Sequence, residues 1–325
     1  MLTSHFGAIL TVAMVGICFA QDGAETVADA QKSAPEGLSV TSAEAKSWMS
    51  TPWPALDAAG HKSAEVLVNK ALASVLPVIA TQEEAHKPLR TRFLLLHGQL
   101  PRTDLLRVGT TLDRTVQQLH TLMARPDDER PFAGRLGLAL LSSRDEFVLT
   151  LADALSTYAR PSTAAVLQVE GHCSIVIANA RAPRGLLDHQ LDRTVTHAYL
   201  HALHSPIRLP AWANEGLATA VAWSRAAPGG GRGRATAIAE VRDGLDLGQL
   251  LDKGYEDGSW NANEQDEARA GLLMERLVLK RPAQLREWIL AIKKGASWRE
   301  AFLAHFDDSP EAMAAWVAQY FKVND

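Results

Sequence analysis

The chain has 325 residues, 47% of them hydrophobic and 22% charged, and 33 basic residues set against 37 acidic ones leave a net charge of -4. That balance excludes a mostly disordered or fibrous protein, and a weakly acidic chain is a poor general nucleic-acid binder. Two cysteines cannot build a disulfide framework, and no apolar run reaches the roughly 18 residues of a membrane-spanning helix.

In chain order, residues 6–20 (FGAILTVAMVGICFA) form an uncharged, mostly apolar run ending in a small residue. This pattern predicts a signal peptide over residues 1–20, cut after Ala20, and a secreted or periplasmic destination. Cleavage removes Cys18 and leaves Cys173, which reads as a small buried apolar residue. Residues 21–50 are rich in Ala, Ser, Glu and Asp and read as a flexible linker.

Residues 64–79 are helix-like up to Pro77. Residues 92–97 (RFLLLH) predict a buried strand. A long amphipathic helix over 103–123 follows, with Leu105, Leu106, Val108, Leu112, Val116, Leu119 and Leu122 on its apolar side. Residues 135–141 predict a strand, 145–158 a helix, and 164–178 two strands turning near Glu170-Gly171. Helices are expected over 186–204 and 215–224, then a glycine-rich loop over 226–235, then helices over 267–279, 282–293, 298–306 and 309–321. The expected organisation is an α+β subdomain over 51–224 and a helical C-terminal subdomain over 225–325.

Within residues 191–223, His197 and His201 stand four apart on a predicted helix, so both imidazoles share one face. Glu215 follows beyond a proline-marked turn. Two His and one Glu are a ligand set of catalytic zinc sites. His204, two helical turns from His197 and roughly 10 Å along the axis, is not expected on the same ion. Trp212 reads as core packing under the Glu215 helix, with Pro210 fixing its start. His172 reads as an exposed strand residue. Arg232 and Arg234 read as solvated, with contact to an anionic ligand as the alternative.

The stretch His197-Ala198-Tyr199-Leu200-His201, then Pro210-Ala211-Trp212, then Asn214-Glu215-Gly216-Leu217-Ala218, resembles the gluzincin type of zinc metallopeptidase, of the peptidase MA-like clan, whose pattern is H-E-x-x-H, P-x-W, N-E-G-L-A. A looser likeness to secreted bacterial members of that clan covers residues 92–321. The resemblance implies a zincin-like α+β fold: a small mixed sheet packed on the metal-site helix, followed by a helical subdomain. It also implies Zn2+ on His197, His201 and Glu215. Two departures change the reading. The Glu that serves the family as general base is replaced by Ala198, and an acidic position four residues beyond Glu215 is held by Thr219. A general base is worth about 10²–10⁴ in rate, so hydrolysis should be severely weakened. The expectation is therefore an exported, metal-binding pseudopeptidase without a confident catalytic residue, whose cleft takes peptide by strand addition along residues 166–177. The alternatives are an active peptidase with a displaced base (Tyr199, His204 or a distant carboxylate) and a metal-free interaction protein.

Overall fold

Strands alternate their side chains between two faces, and the sheet here sorts its apolar residues accordingly. The computed structural model describes residues 52–75, 88–98, 100–155, 163–170, 173–226, 231–255, 257–260 and 263–324. The expected signal peptide, the linker and His172 lie outside the described residues. Five strands, β1 (Leu89–Arg90), β2 (Leu94–Gly98), β3 (Leu136–Leu141), β4 (Ala164–Glu170) and β5 (Cys173–Asn179), form one mixed sheet in the order β1-β2-β3-β5-β4. β2, β3 and β5 run parallel, while β1 and β4 are antiparallel edge strands. Leu94, Leu96, Leu136, Leu138, Leu140, Val176 and Ala178 point into one apolar cluster. Their neighbours Leu95, Ala139, Leu141, Ile175 and Ile177 point into the other.

Helices cover both faces. α1 (Ala58–Val75) and α3 (Arg144–Leu155) supply Val68, Leu72, Phe147 and Leu151 to one cluster. α2 (Arg102–Leu122) and α4 (Arg184–Ala202) close the other. On α2, Leu105, Val108, Leu112, Val116 and Leu119 are buried as expected, but Leu106 falls off the stripe and is 48% exposed. The remaining helices are α5 (Ala211–Arg225), α6 (Arg234–Arg242), α7 (Glu264–Lys280), α8 (Pro282–Lys293), α9 (Trp298–Phe306) and α10 (Pro310–Asn324), with a short 3₁₀ turn at Leu247–Leu250. The molecule is thus α+β, with helices alone after Arg225 among the described residues. One apolar cluster nevertheless runs from Leu89 to Phe321, so the C-terminal helices share the core of the sheet.

The glycine-rich segment is shorter than expected. Gly233 takes a left-handed φ of 72°, and α6 begins at the next residue. Arg232 is exposed as expected and pairs with Glu264 of α7, whereas Arg234 is half-buried in an ion pair with Glu275 of the same helix. Cys173 is buried on β5, as a small apolar residue would be.

α5 and α7 pack at unusually close range through glycine. A Cβ on Gly216 would stand 2.4 Å from the Ala270 carbonyl oxygen, and one on Gly271 would stand 2.7 Å from the Trp223 ring. Gly216→Ala raises intrinsic helix propensity yet forces the two helices apart. We expect a net loss of about 1–3 kcal/mol, typical of overpacking. Urea denaturation measures it, and a variant more stable than the wild type would contradict this packing.

Candidate functional site

α4 runs through the centre of the molecule, and even its polar residues Asp192, Arg193, Thr194 and Thr196 are buried. The helix ends at Ala202, and the segment before α1 ties that end down. Trp53 Nε1 donates to the His201 carbonyl (2.9 Å), and the Trp53 N–H donates to the His204 carbonyl (2.7 Å). The first bond satisfies a carbonyl that the helix terminus leaves open, and the second holds the turn just beyond it. The chain then turns through Pro206 and Pro210 into α5. Trp212, in the first turn, is 2% exposed and stacks on Trp288 with ring centroids 5.5 Å apart. The expected core role of Trp212 and the expected helix start at Pro210 both hold, although Glu215 sits one turn inside α5 rather than at its beginning.

This packing brings His197 and Glu215 together: His197 Nε2 lies 3.3 Å from Glu215 Oε2. His201 lines the same pocket as His197, together with Val166 and Gln168 of β4, Arg208, Tyr255 and Lys293. Among the described residues, no three His, Cys, Asp or Glu side chains gather as a group that could hold a metal ion. Ala198 is fully buried in the core and adds no proton acceptor. Tyr199 is also buried. Its hydroxyl meets His120 Nδ1 at 3.1 Å, and burial pushes its pKa up, so it is no base for the His197 pocket. His204, at a left-handed φ of 61°, lines a separate cavity with Trp53 and His61. Thr219 is buried at the position where the resemblance implied an acidic residue.

Glu215 is fully buried and multiply bound. Arg193 Nη2 donates to its Oε2 at 2.9 Å, Tyr255 Oη donates to its Oε1 in a short hydrogen bond, and Asn214 Nδ2 reaches Oε1 at 3.5 Å. Arg193 also donates through Nη1 to Glu267 Oε2 of α7 at 2.5 Å. Burial pushes the Glu267 carboxyl up from its ordinary pKa, with the Arg193 cation opposing that rise. Arg193 stands one helical turn before His197, so Arg193, His197 and His201 form one i, i+4, i+8 row.

The donors match a zinc site in type. Two ligands about 2.1 Å from one tetrahedral ion are about 3.4 Å apart, close to the His197–Glu215 separation. The electrostatics do not match. Asn214 Nδ2 stands 3.2 Å from His197 Nδ1, 3.1 Å from Tyr255 Oη and 3.5 Å from Glu215 Oε1, so an amide is threaded between the expected ligands. Arg193 already supplies positive charge to the carboxylate. Arg193 and Tyr255 satisfy Glu215 with hydrogen bonds, while His197 Nε2 lies beside Glu215 Oε2 at 3.3 Å, buried and without a hydrogen bond.

Sequence reasoning missed Arg193, Asn214, Tyr255, Glu267 and Lys293. The first carried a signal in its four-residue spacing from His197, and Asn214 lies inside the quoted motif. The other three reach the site only through tertiary packing. Searches against protein-family models and against curated proteins return no match for this chain.

Proposed function

We propose that this chain is an exported, zincin-like pseudopeptidase that binds extended peptide without cutting it. The observation that carries this reading is the shared lining of one pocket: Val166 and Gln168 on edge strand β4, and His197 and His201 on α4. An antiparallel edge strand above a histidine-bearing helix suits strand addition, in which main-chain hydrogen bonds hold the peptide and pockets select its side chains. Ala198 removes the general base, and the Arg193 contact removes the open carboxylate. Zinc on His197, His201 and Glu215 enters this reading as a weak site. Binding it would displace Arg193 from Glu215.

Catalytic chemistry at this site is correspondingly limited. The residues can orient a bound chain and donate hydrogen bonds to its carbonyls, but none is poised to take a proton from water beside His197. The test is a fluorescence-anisotropy screen of labelled peptides against the mature protein, followed by mass spectrometry of the same mixtures. We expect saturable binding that survives chelator, with peptides left intact. Chelator-sensitive cleavage, or the absence of binding to any extended peptide, would overturn the proposal.

A further inference from the structure

Lys293 closes α8 and is only 2% exposed, yet it lines the pocket that holds His197 and His201. Its Nζ donates to the Ser205 carbonyl at 2.8 Å, and the Ser205 hydroxyl returns a bond to the Lys293 carbonyl at 2.5 Å. Among the described residues no ion pair joins Lys293 to a carboxylate. The charged group that acts on it is the Arg208 guanidinium, which lines the same pocket. An ammonium with a neutral partner, out of water and beside another cation, is the arrangement that turns lysine into an amine nucleophile. Burial and Arg208 lower the Lys293 pKa from 10.5 to about 7.

We infer that Lys293 is an amine nucleophile that captures small carbonyl compounds bearing a carboxylate, with Arg208 facing the anion. This inference needs neither metal nor bound peptide and stands independently of the function proposed above. The Nζ lone pair attacks the carbonyl carbon, a C–N bond forms, and the carbonyl π pair moves to oxygen. A proton passes from nitrogen to that oxygen, giving a carbinolamine. Loss of water, which carries the hydroxyl and a second proton from nitrogen, leaves the imine. Lys294, the next residue, is exposed and serves as a control within the same chain.

The experiment incubates the folded mature protein with glyoxylate and cyanoborohydride at pH 7.5. The borohydride hydride reduces the imine to a stable carboxymethyl amine, and peptide mass spectrometry follows Lys293 and Lys294 separately. We expect Lys293 to be modified at least tenfold faster than Lys294 and the preference to vanish in urea. Arg208→Gln, a surface change that leaves the fold intact, should slow the Lys293 reaction several-fold by removing both the anion partner and the neighbouring cation. Equal or slower modification of Lys293 in the folded protein, or an Arg208→Gln rate equal to wild type, would overturn the inference.

Discussion

Arg193→Gln is expected to destabilise the protein by about 3–5 kcal/mol, the usual result of removing one partner from a buried ion pair. Arg193 is 3% exposed and is the cation shared by Glu215 and Glu267, which are 0% and 6% exposed. A neutral side chain leaves both carboxylates in the core without that cation. The same substitution opens Glu215 to a metal. Added zinc should therefore restore part of the lost stability in the variant, rising with the logarithm of free zinc, while leaving the wild type almost unchanged. Urea denaturation with zinc and with chelator separates these outcomes. A variant as stable as wild type would mean that the Arg193 contacts carry little weight. A wild type stabilised by micromolar zinc as strongly as the variant would show that Arg193 does not compete with metal.

The second large effect is a pH dependence carried by Lys293. Its folded-state pKa of about 7 lies below the unfolded value of 10.5, so between those values the unfolded chain holds a proton that the folded chain lacks. Stability therefore rises with pH across this window, and below about pH 7 the full penalty, on the order of a few kcal/mol, is present. Lys293→Met removes that penalty and also the hydrogen bond to the Ser205 carbonyl, which costs about 1–3 kcal/mol. The stability difference between wild type and variant should move in favour of wild type as pH goes from 7 to 10. Parallel stability curves over that range would place the amine in its charged form and contradict the burial argument.

Much of the fold was legible because its strands and helices are patterned locally. Residues 282–293 and 298–306 were read with the bounds the structure shows, since proline starts the first and aromatic residues line both. β2 reads as a buried strand, and β3 and β5 as strands, because their sequences are nearly all apolar, as segments covered on both faces are. β1 is two residues long and carries no period to read. α6 was hidden by the glycines before it, whose composition gave no hint that the left-handed turn ends at Gly233.

The site divides in the same way. The spacing of His197, and of Glu215 behind Pro210 and Trp212, gave the His197–Glu215 encounter because two consecutive helices bring it about. Of the groups that determine what Glu215 does, Arg193 shares α4 with His197, and the others come from elsewhere. Glu267, which shares Arg193 with Glu215, arrives on α7, and Tyr255 comes from the segment before it. Two adjacent lysines in one sequence differ completely in burial, and only the packed structure tells them apart.

Glu215 is held by the protein's own hydrogen-bond donors, and the proposed function requires that no metal take their place. The most direct measurement is the metal content of the gently purified mature protein by elemental analysis, before any zinc is added. Less than about a tenth of an equivalent of zinc per chain is expected. One equivalent of zinc, lost together with activity on adding chelator, would contradict it.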